Sequence, residues 1–488
     1  MKQHAMYIDG EWCDSESGAF YDAIDPSTGE PFGRIPQGTR IDAQRAIAAA
    51  ARAQVEWKQV PLWDRSALCV RIADIIEQRK AELADILCTE LGKPLHGEAS
   101  DEAGESDVPW RAAAEQAKYF EAHTKPCADP QKRVLTFRRP RGVVTAITPW
   151  NFPAAIPGEY LPFGIVMGNT MTWTPAPTAA AVAIKLMECI HEAGLPKGVI
   201  NLVTGPGAEV GDELVVNPGT HAVGMTGSPQ TARIITSRAG LKPRLFELGG
   251  NGPIVVLADA NLEKILTCIG FACFYAAGQV CACAERILVA DEIKDEFIER
   301  MVEEAGHWVL GDPRDASVNM GPQNNMGVVD KMTRHLEDAT ERGATIVTGG
   351  RRPSRPGFFY EPTVLVDFSA DSLINREETF GPIAPIASFK SESEAWDMIN
   401  ACDLGLSSSV FTRDVDRAWH WAENLNTGNT VINDWPHFWE HHLPFGGMAS
   451  NQSGLGRIGG RHTLEFMSDL KTIVFNLGDP TVGPDLWS

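Results

Sequence analysis

No apolar run in this chain approaches the ~18 residues that a membrane-spanning helix requires. Positive charge is also scarce, with 43 Lys and Arg against 64 Asp and Glu and a formal net charge of −21. That balance disfavours a nucleic-acid backbone or an anionic membrane surface as partner. The first residues, MKQHAMYIDGEWCDSE, carry no apolar stretch of the signal-peptide kind, from which a cytoplasmic location is expected. Metal-type cysteine spacing is missing too. The ten cysteines are scattered, and the one near pair, Cys281 and Cys283, is too close for the usual zinc hairpin. His441 and His442 stand alone, so no metal is expected. A disulfide framework belongs to short secreted chains, and most of these cysteines are expected to be inert core residues.

What remains is a chain of 488 residues, 43% hydrophobic and 22% charged, an ordinary globular composition. It is too long for one core, so two or three domains are expected. From residue 143 short β-branched runs alternate with helical stretches. VVTAITPW (143–150) reads as a buried strand ending in a Pro-Trp-Asn-Phe-Pro turn. APTAAAVAIKLMECIHEAG (176–194) reads as a helix closed by Gly194 and Pro196. VINLVTG (199–205) and HAVGMTG (221–227) read as the next strands, with a helix opening at Ser228. A second alternating set follows residue 250: GPIVVLADA, RILVA, ATIVTGG and TVLVDF. Such alternation with short loops implies parallel sheets with right-handed crossovers. There is no internal repeat, and the turn-rich tail after Asn476 reads as an extended arm.

Two turns carry weak nucleotide signals. GPGAEVG (205–211) resembles a dinucleotide fingerprint with one residue too many before its last glycine. Thr226-Gly227-Ser228 delivers a hydroxyl and free N–H groups to a helix start, which serves a phosphate or a plain N-cap equally well.

The stretch FYAAGQVCACAER (274–286) poses the sharper question of what its two cysteines do. It belongs with three other separated segments: PWNFP (149–153), ELGG (247–250) and EETFGP (377–382). In this order they resemble the NAD(P)-dependent aldehyde dehydrogenase superfamily. The resemblance runs from YIDGEW (7–12) through GNTMTW (168–173) to PFGG (444–447). It implies Cys281 as nucleophile, Asn151 as oxyanion donor and Glu247 as general base. The chemistry fits these residue types. A thiolate adding to an aldehyde leaves an oxyanion that needs preorganised donors, such as a side-chain amide and a backbone N–H. The thioester left after hydride departure needs a carboxylate to activate water. Cys283 is expected to be a packing residue, with a place in the tunnel or a reversible disulfide cap on Cys281 as alternatives.

The resemblance further implies cofactor contacts from Trp150, Thr174, Gly227, Ser228, Leu248, Glu378 and Phe380, and a substrate tunnel at Phe152, Tyr160, Tyr275 and Trp439. A carboxylate such as Glu378 suits a ribose diol, because its two oxygens accept two hydrogen bonds. Departures from the family pattern matter as well. Thr174 stands where a lysine is common, Pro177 where a glutamate often selects NAD, and Tyr160 where another lysine is usual. The first two losses act in opposite directions. NAD is the expected cofactor, with NADP not excluded. PFGGMASNQSGLGR is two residues longer than the common form. Trp435 and Phe438 in DWPHFWEHH (434–442) add aromatic character, and an apolar or aromatic aldehyde is the expected substrate. His441 or His442 is the alternative contact for a polar end; no arginine accompanies them in that loop.

The fold expected is α/β: a Rossmann-type coenzyme domain (1–122 and 141–249), an α/β catalytic domain (250–452) and a small β oligomerisation element (123–140 and 463–488). That element implies a homodimer or homotetramer. The rival activities are acyl transfer to coenzyme A, against which Glu247 stands, and a non-catalytic protein of the same fold.

Overall fold

The computed structural model describes residues 1–479. Two sheets dominate it. The first has eight strands, five of them parallel at its centre in the spatial order 244–248, 222–227, 143–148, 170–175 and 200–202. Numbered along the chain these run 5-4-1-2-3, the doubly wound order that opens a crevice between the first and fourth strands. One edge is closed by the hairpin Met6–Ile8 and Glu11–Cys13, the other by the short antiparallel strand Gly454–Leu455. The second sheet has seven strands, parallel except for the edge strand Thr345–Thr348. A three-stranded antiparallel ribbon joins His123–Lys125, Lys132–Pro140 and Ser468–Asn476, and a small sheet collects Lys2–Gln3, Phe20–Ile24 and Pro31–Pro36.

The reasons are local before they are global. Val143–Thr148 and Arg286–Ala290 are nearly continuous buried runs, as strands covered on both faces by helices must be. The helix Ala180–Glu192 is preceded by a short 3₁₀ turn, Pro177–Ala179. Its start is held from a distance, because the buried Glu90 carboxylate accepts the N–H groups of Ala181 and Val182 at 2.9 and 2.7 Å. It stops where Gly194 turns left-handed at φ 84°. GPGAEVG forms a single π-helical turn over Gly207–Gly211 that continues into the helix Asp212–Val216. The sequence pattern had suggested a plain strand-to-helix turn; the additional residue is absorbed by the wider turn.

The C-terminal arm is seen as far as its strand, Ser468–Asn476, which pairs residue by residue with Lys132–Pro140. The rest of the tail from residue 480 lies outside the described residues. Among the described residues no helix is long and apolar enough to cross a membrane, and no group of three His, Cys, Asp or Glu side chains could hold a metal ion.

Candidate active site

Three cavities meet at the carboxyl ends of the first sheet. The outermost, of about 790 Å³, lies over the crevice between the first and fourth parallel strands. Its walls include Trp150, Thr174, Pro177, Gly207, Gly227 and Ser228. A narrow passage of about 130 Å³ continues inward past Asn151, Leu248, Glu378 and Phe380 to Glu247 and Cys281. On the far side of those two residues opens a third cavity of about 630 Å³, walled by aromatic rings and carboxylates. Thr226, Glu247 and Cys281 line both the passage and this last cavity. A thiol and a carboxyl therefore stand where the two approaches join.

The turns that position these groups are built by close approach. A Cβ on Gly249 would sit 2.4 Å from the Glu378 carboxylate, and one on Gly250 would sit 2.3 Å from the Cys281 carbonyl. The double glycine of ELGG is thus the gap through which Glu378 and the cysteine turn reach Glu247. Ahead of the cysteine, Ala276 and Ala277 are left-handed at φ 52° and 53°, a conformation alanine adopts only under constraint. The constraint is visible. Buried Glu98 accepts the Ala276 N–H at 2.8 Å, while Gln279 donates to the Ala276 carbonyl at 2.9 Å and accepts from Asn324 N–H at 2.9 Å. Gly278, also left-handed, packs so tightly on Gly381 that no side chain fits.

Asn151 is buried, and its amide donates one hydrogen to the Gln279 carbonyl at 3.0 Å, leaving the other for the passage. Glu247 is 3% exposed, and its Oε1 has no hydrogen-bond partner. Burial pushes its pKa up to about 8, opposed by the neighbouring Cys281 thiol. Burial likewise pushes the Cys281 thiol well up, and the Glu247 and Glu378 carboxylates add to that. Cys281 is therefore a thiol that needs a base, with Glu247 beside it. Glu378 accepts the Gly250 N–H at 3.0 Å, and burial raises its pKa while the Lys331 ammonium opposes the rise. Trp150 meets Phe380 edge to face at 5.4 Å.

Thr174 and Ser228 line the outer cavity, and Ser228 is also the N-cap of the helix Pro229–Arg238, accepting from Thr231 N–H at 3.2 Å. The phosphate and capping roles are compatible in one residue. A Cβ at Gly207 or Gly211 would meet nothing within 4 Å, and one at Gly227 only Met225 at 3.8 Å. The bare turns leave room for a dinucleotide's pyrophosphate beside a helix start, so the lining fits that class of cofactor. Arg40 and Arg238 also line this cavity, both paired with Asp212.

Phe152, Tyr275 and Trp439 line the aromatic cavity, and so do Trp435 and Phe438. Tyr160 does not. It is fully buried behind the wall, with its hydroxyl hydrogen-bonded to Thr226 Oγ1 at 2.8 Å and its ring against Gly224. Its neighbour Glu159 faces the cavity instead. Cys283 is buried, with its thiol on the Ala272 carbonyl at 2.8 Å, and is not among the lining residues.

Sequence reasoning missed several groups. Buried Glu285 accepts the Thr379 N–H and, at 2.6 Å, the Phe380 N–H, and so fixes the left-handed turn at Phe380. Glu102 accepts the Ala154 and Ala155 N–H groups behind PWNFP and pairs with buried Lys93 at 2.6 Å. Lys93 sits 3.8 Å over the Phe152 ring. None of these had a signal, since each is an ordinary charged letter far in sequence from what it holds.

Such an architecture defines a dinucleotide-type α/β enzyme with a thiol and a carboxyl where its cavities join. The model of the aldehyde dehydrogenase family matches residues 12–473. A 3-sulfolactaldehyde dehydrogenase of Pseudomonas putida is 36% identical, the match covering 97% of each chain. The NADP(+) succinate-semialdehyde dehydrogenase of Escherichia coli is 35% identical over 98% of each. The crystal structure of a betaine aldehyde dehydrogenase from Staphylococcus aureus in complex with NAD+ superposes with a TM-score of 0.95 at 32% identity, covering 99% of this chain and 97% of that one. The chain belongs to the aldehyde dehydrogenase family.

Proposed function

We propose that the protein oxidises an aldehyde to its carboxylic acid, with Cys281 as nucleophile, Asn151 as oxyanion donor and Glu247 as general base. The observation that carries this reading is the position of Cys281 and Glu247 in the walls of both the narrow passage and the aromatic cavity. Glu247 takes the thiol proton, and Cys281 adds to the carbonyl carbon. The Asn151 amide and the Cys281 N–H receive the oxyanion. A bound nicotinamide supplies the hydride acceptor. Glu247 returns the thiol proton to solvent and then takes one from the water that attacks the thioester left on Cys281.

NAD is the proposed cofactor, with NADP not excluded. Glu378 and Gly249 would hold the ribose near the nicotinamide, and Trp150 and Phe380 would confine the ring. Arg40 and Arg238 stand in the outer cavity without offering a free charge, because Asp212 and Glu213 together neutralise them. The relatives are named for aldehydes of different charge, so no one of their substrates transfers. The rings of Phe152, Tyr275, Trp435 and Trp439 favour an aldehyde with bulk beyond its carbonyl. The Ser468–Asn476 ribbon exposes Leu470, Val474 and Phe475, which supports a homo-oligomer joined there.

The test is NADH formation from a panel of aldehydes, with and without coenzyme A, and identification of the product. Free acid formed without coenzyme A is expected. Turnover that requires coenzyme A would move the protein to the acyl-transferring class, and Glu247 would lose its role.

A further inference from the structure

The helix Glu98–Glu105 carries two buried carboxylates one turn apart, and the proposed reaction uses neither. Glu98 and Glu102 are 4% and 3% exposed and, four apart, share one face of that helix. Glu98 accepts the Ala276 N–H at 2.8 Å. Glu102 accepts the Ala154 and Ala155 N–H groups at 2.8 and 3.3 Å with one oxygen. Its other oxygen pairs with Lys93 at 2.6 Å. The two grips fall on the two turns that carry the oxyanion donors. Ala276 opens the left-handed stretch before Cys281, and Ala154 closely follows Asn151. The contacts continue between these turns. Gln279 donates to the Ala276 carbonyl at 2.9 Å, and the Gln279 carbonyl accepts the Asn151 amide at 3.0 Å. Glu98, Ala276, Gln279, Asn151 and Glu102 thus form a ring of contacts that returns to the helix where it began.

We propose that Glu98 and Glu102 are positioning residues that fix the separation of the two oxyanion donors, the Asn151 amide and the Cys281 N–H. The inference rests on the oxidation reading above and deepens it. Glu98 lines none of the three cavities, and both Glu102 oxygens are engaged, so each acts through the backbone it holds. That backbone needs holding. Left-handed alanines relax toward ordinary conformations unless their surroundings constrain them. A carboxylate on a backbone N–H is roughly twice as strong a restraint as a neutral hydrogen bond. With one helix gripping both turns, the spacing of the donors follows the spacing of residues 98 and 102 instead of the drift of two loops. The reaction is sensitive to that spacing, since a misplacement of about 1 Å costs ~10²-fold in rate.

The experiment is a double-mutant cycle on kcat with the holoenzyme, using hexanal, benzaldehyde and 5-oxopentanoate as probes. Glu98→Asp keeps the carboxyl but falls one methylene short of Ala276, and should lower kcat by about 10–100-fold. NAD affinity should stay within about twofold, because the donors act on the transition state. Glu98→Gln keeps both the reach and an acceptor oxygen, and should recover most of that loss. Glu102→Leu combined with Lys93→Met opens the ring at its other end without stranding a buried ammonium, and should cost a similar factor. One break already opens the ring. Adding the second break, or making either break in Asn151→Ala, should therefore cost less than about threefold more. A merely structural role would multiply the losses instead. Multiplied losses, Glu98→Asp at the wild-type kcat, or Glu98→Gln no better than Glu98→Asp would each overturn the inference. The comparison of Glu98→Asp with Glu98→Gln stands by itself where the Leu–Met variant fails to fold. Asn151→Ala at the wild-type kcat would instead remove the oxyanion role on which the inference rests. No turnover of any probe by the wild type, with NAD and NADP both supplied, removes the oxidation reading.

Discussion

Replacing Glu247 by glutamine keeps the shape of the side chain and removes its ability to take a proton, which makes it the most informative single change. Burial holds the Glu247 carboxyl at a pKa of about 8, well above the usual carboxylate range. At pH 7 about one Glu247 in ten is therefore ionised in the free enzyme, and at pH 9 about nine in ten. A base works only in its ionised form, so wild-type turnover limited by thioester hydrolysis should rise about tenfold between those pH values. General-base catalysis contributes ~10²–10⁴-fold, and the variant forfeits it. The loss should be near that full size at pH 9 and about tenfold smaller at pH 7, where most wild-type molecules already lack the base. The pH profile of the variant should be the flatter of the two. The assay is rapid mixing of enzyme, NAD and aldehyde with detection of NADH. Glu247 also takes the Cys281 proton, so the burst of NADH should be slowed in the variant as well as the steady state. An unchanged steady-state rate would remove Glu247 from hydrolysis. A burst of about one equivalent per site at the wild-type rate would mean that another group takes the thiol proton and would confine Glu247 to hydrolysis.

Cys281→Ala should abolish aldehyde oxidation while Cys283→Ala stays within about tenfold of wild type, since only the first thiol lines the cavities; acyl labelling mapped by peptide mass should fall on Cys281 alone. Asn151→Ala should lower kcat by ~10²–10³-fold, the ~3–4 kcal/mol of one oxyanion donor, with cofactor affinity measured by fluorescence titration little changed. Stability should also depend on pH in a defined direction. Burial raises the pKa of Glu90 and Glu98 to about 7 and of Glu247 to about 8, and it raises Glu285 and Glu378 as well. Between ~4.3, where an unfolded glutamate titrates, and these raised values the folded chain binds protons that the unfolded chain does not. Folding stability should therefore fall as pH rises from about 5 to about 8, read as a lower denaturation midpoint at the higher pH.

Sequence alone determined the architecture's period and the class of chemistry. Runs such as VVTAIT and RILVA, short and β-branched between turn signals, read as strands covered on both sides, and the glycines at 249, 250 and 278 mark places where backbone passes close to something. Cys281, Glu247 and Asn151 were legible because each sits in a short, distinctive segment, Glu247 near the end of its strand and the other two in turns, whose neighbours are fixed by the same close approaches. The tertiary structure alone decided what surrounds them. Glu98, Glu102 and Lys331 reach the site from helices distant in sequence, while Glu159 and Glu285 lie near it in the chain but bind His441 and the Phe380 turn far away. In the chain they are indistinguishable from the other members of a pool of 64 acids and 43 bases. Tyr160 shows the same limit in reverse. Its motif position pointed to the tunnel, but the turn at Ile156–Glu159 sends the tyrosine into the core behind Thr226 and presents Glu159 to the cavity instead. A one-residue rotation of a helical turn moves a side chain by about 100°, which no spacing argument resolves. Which of two adjacent residues faces the substrate, and so the charge of the cavity, is settled by packing.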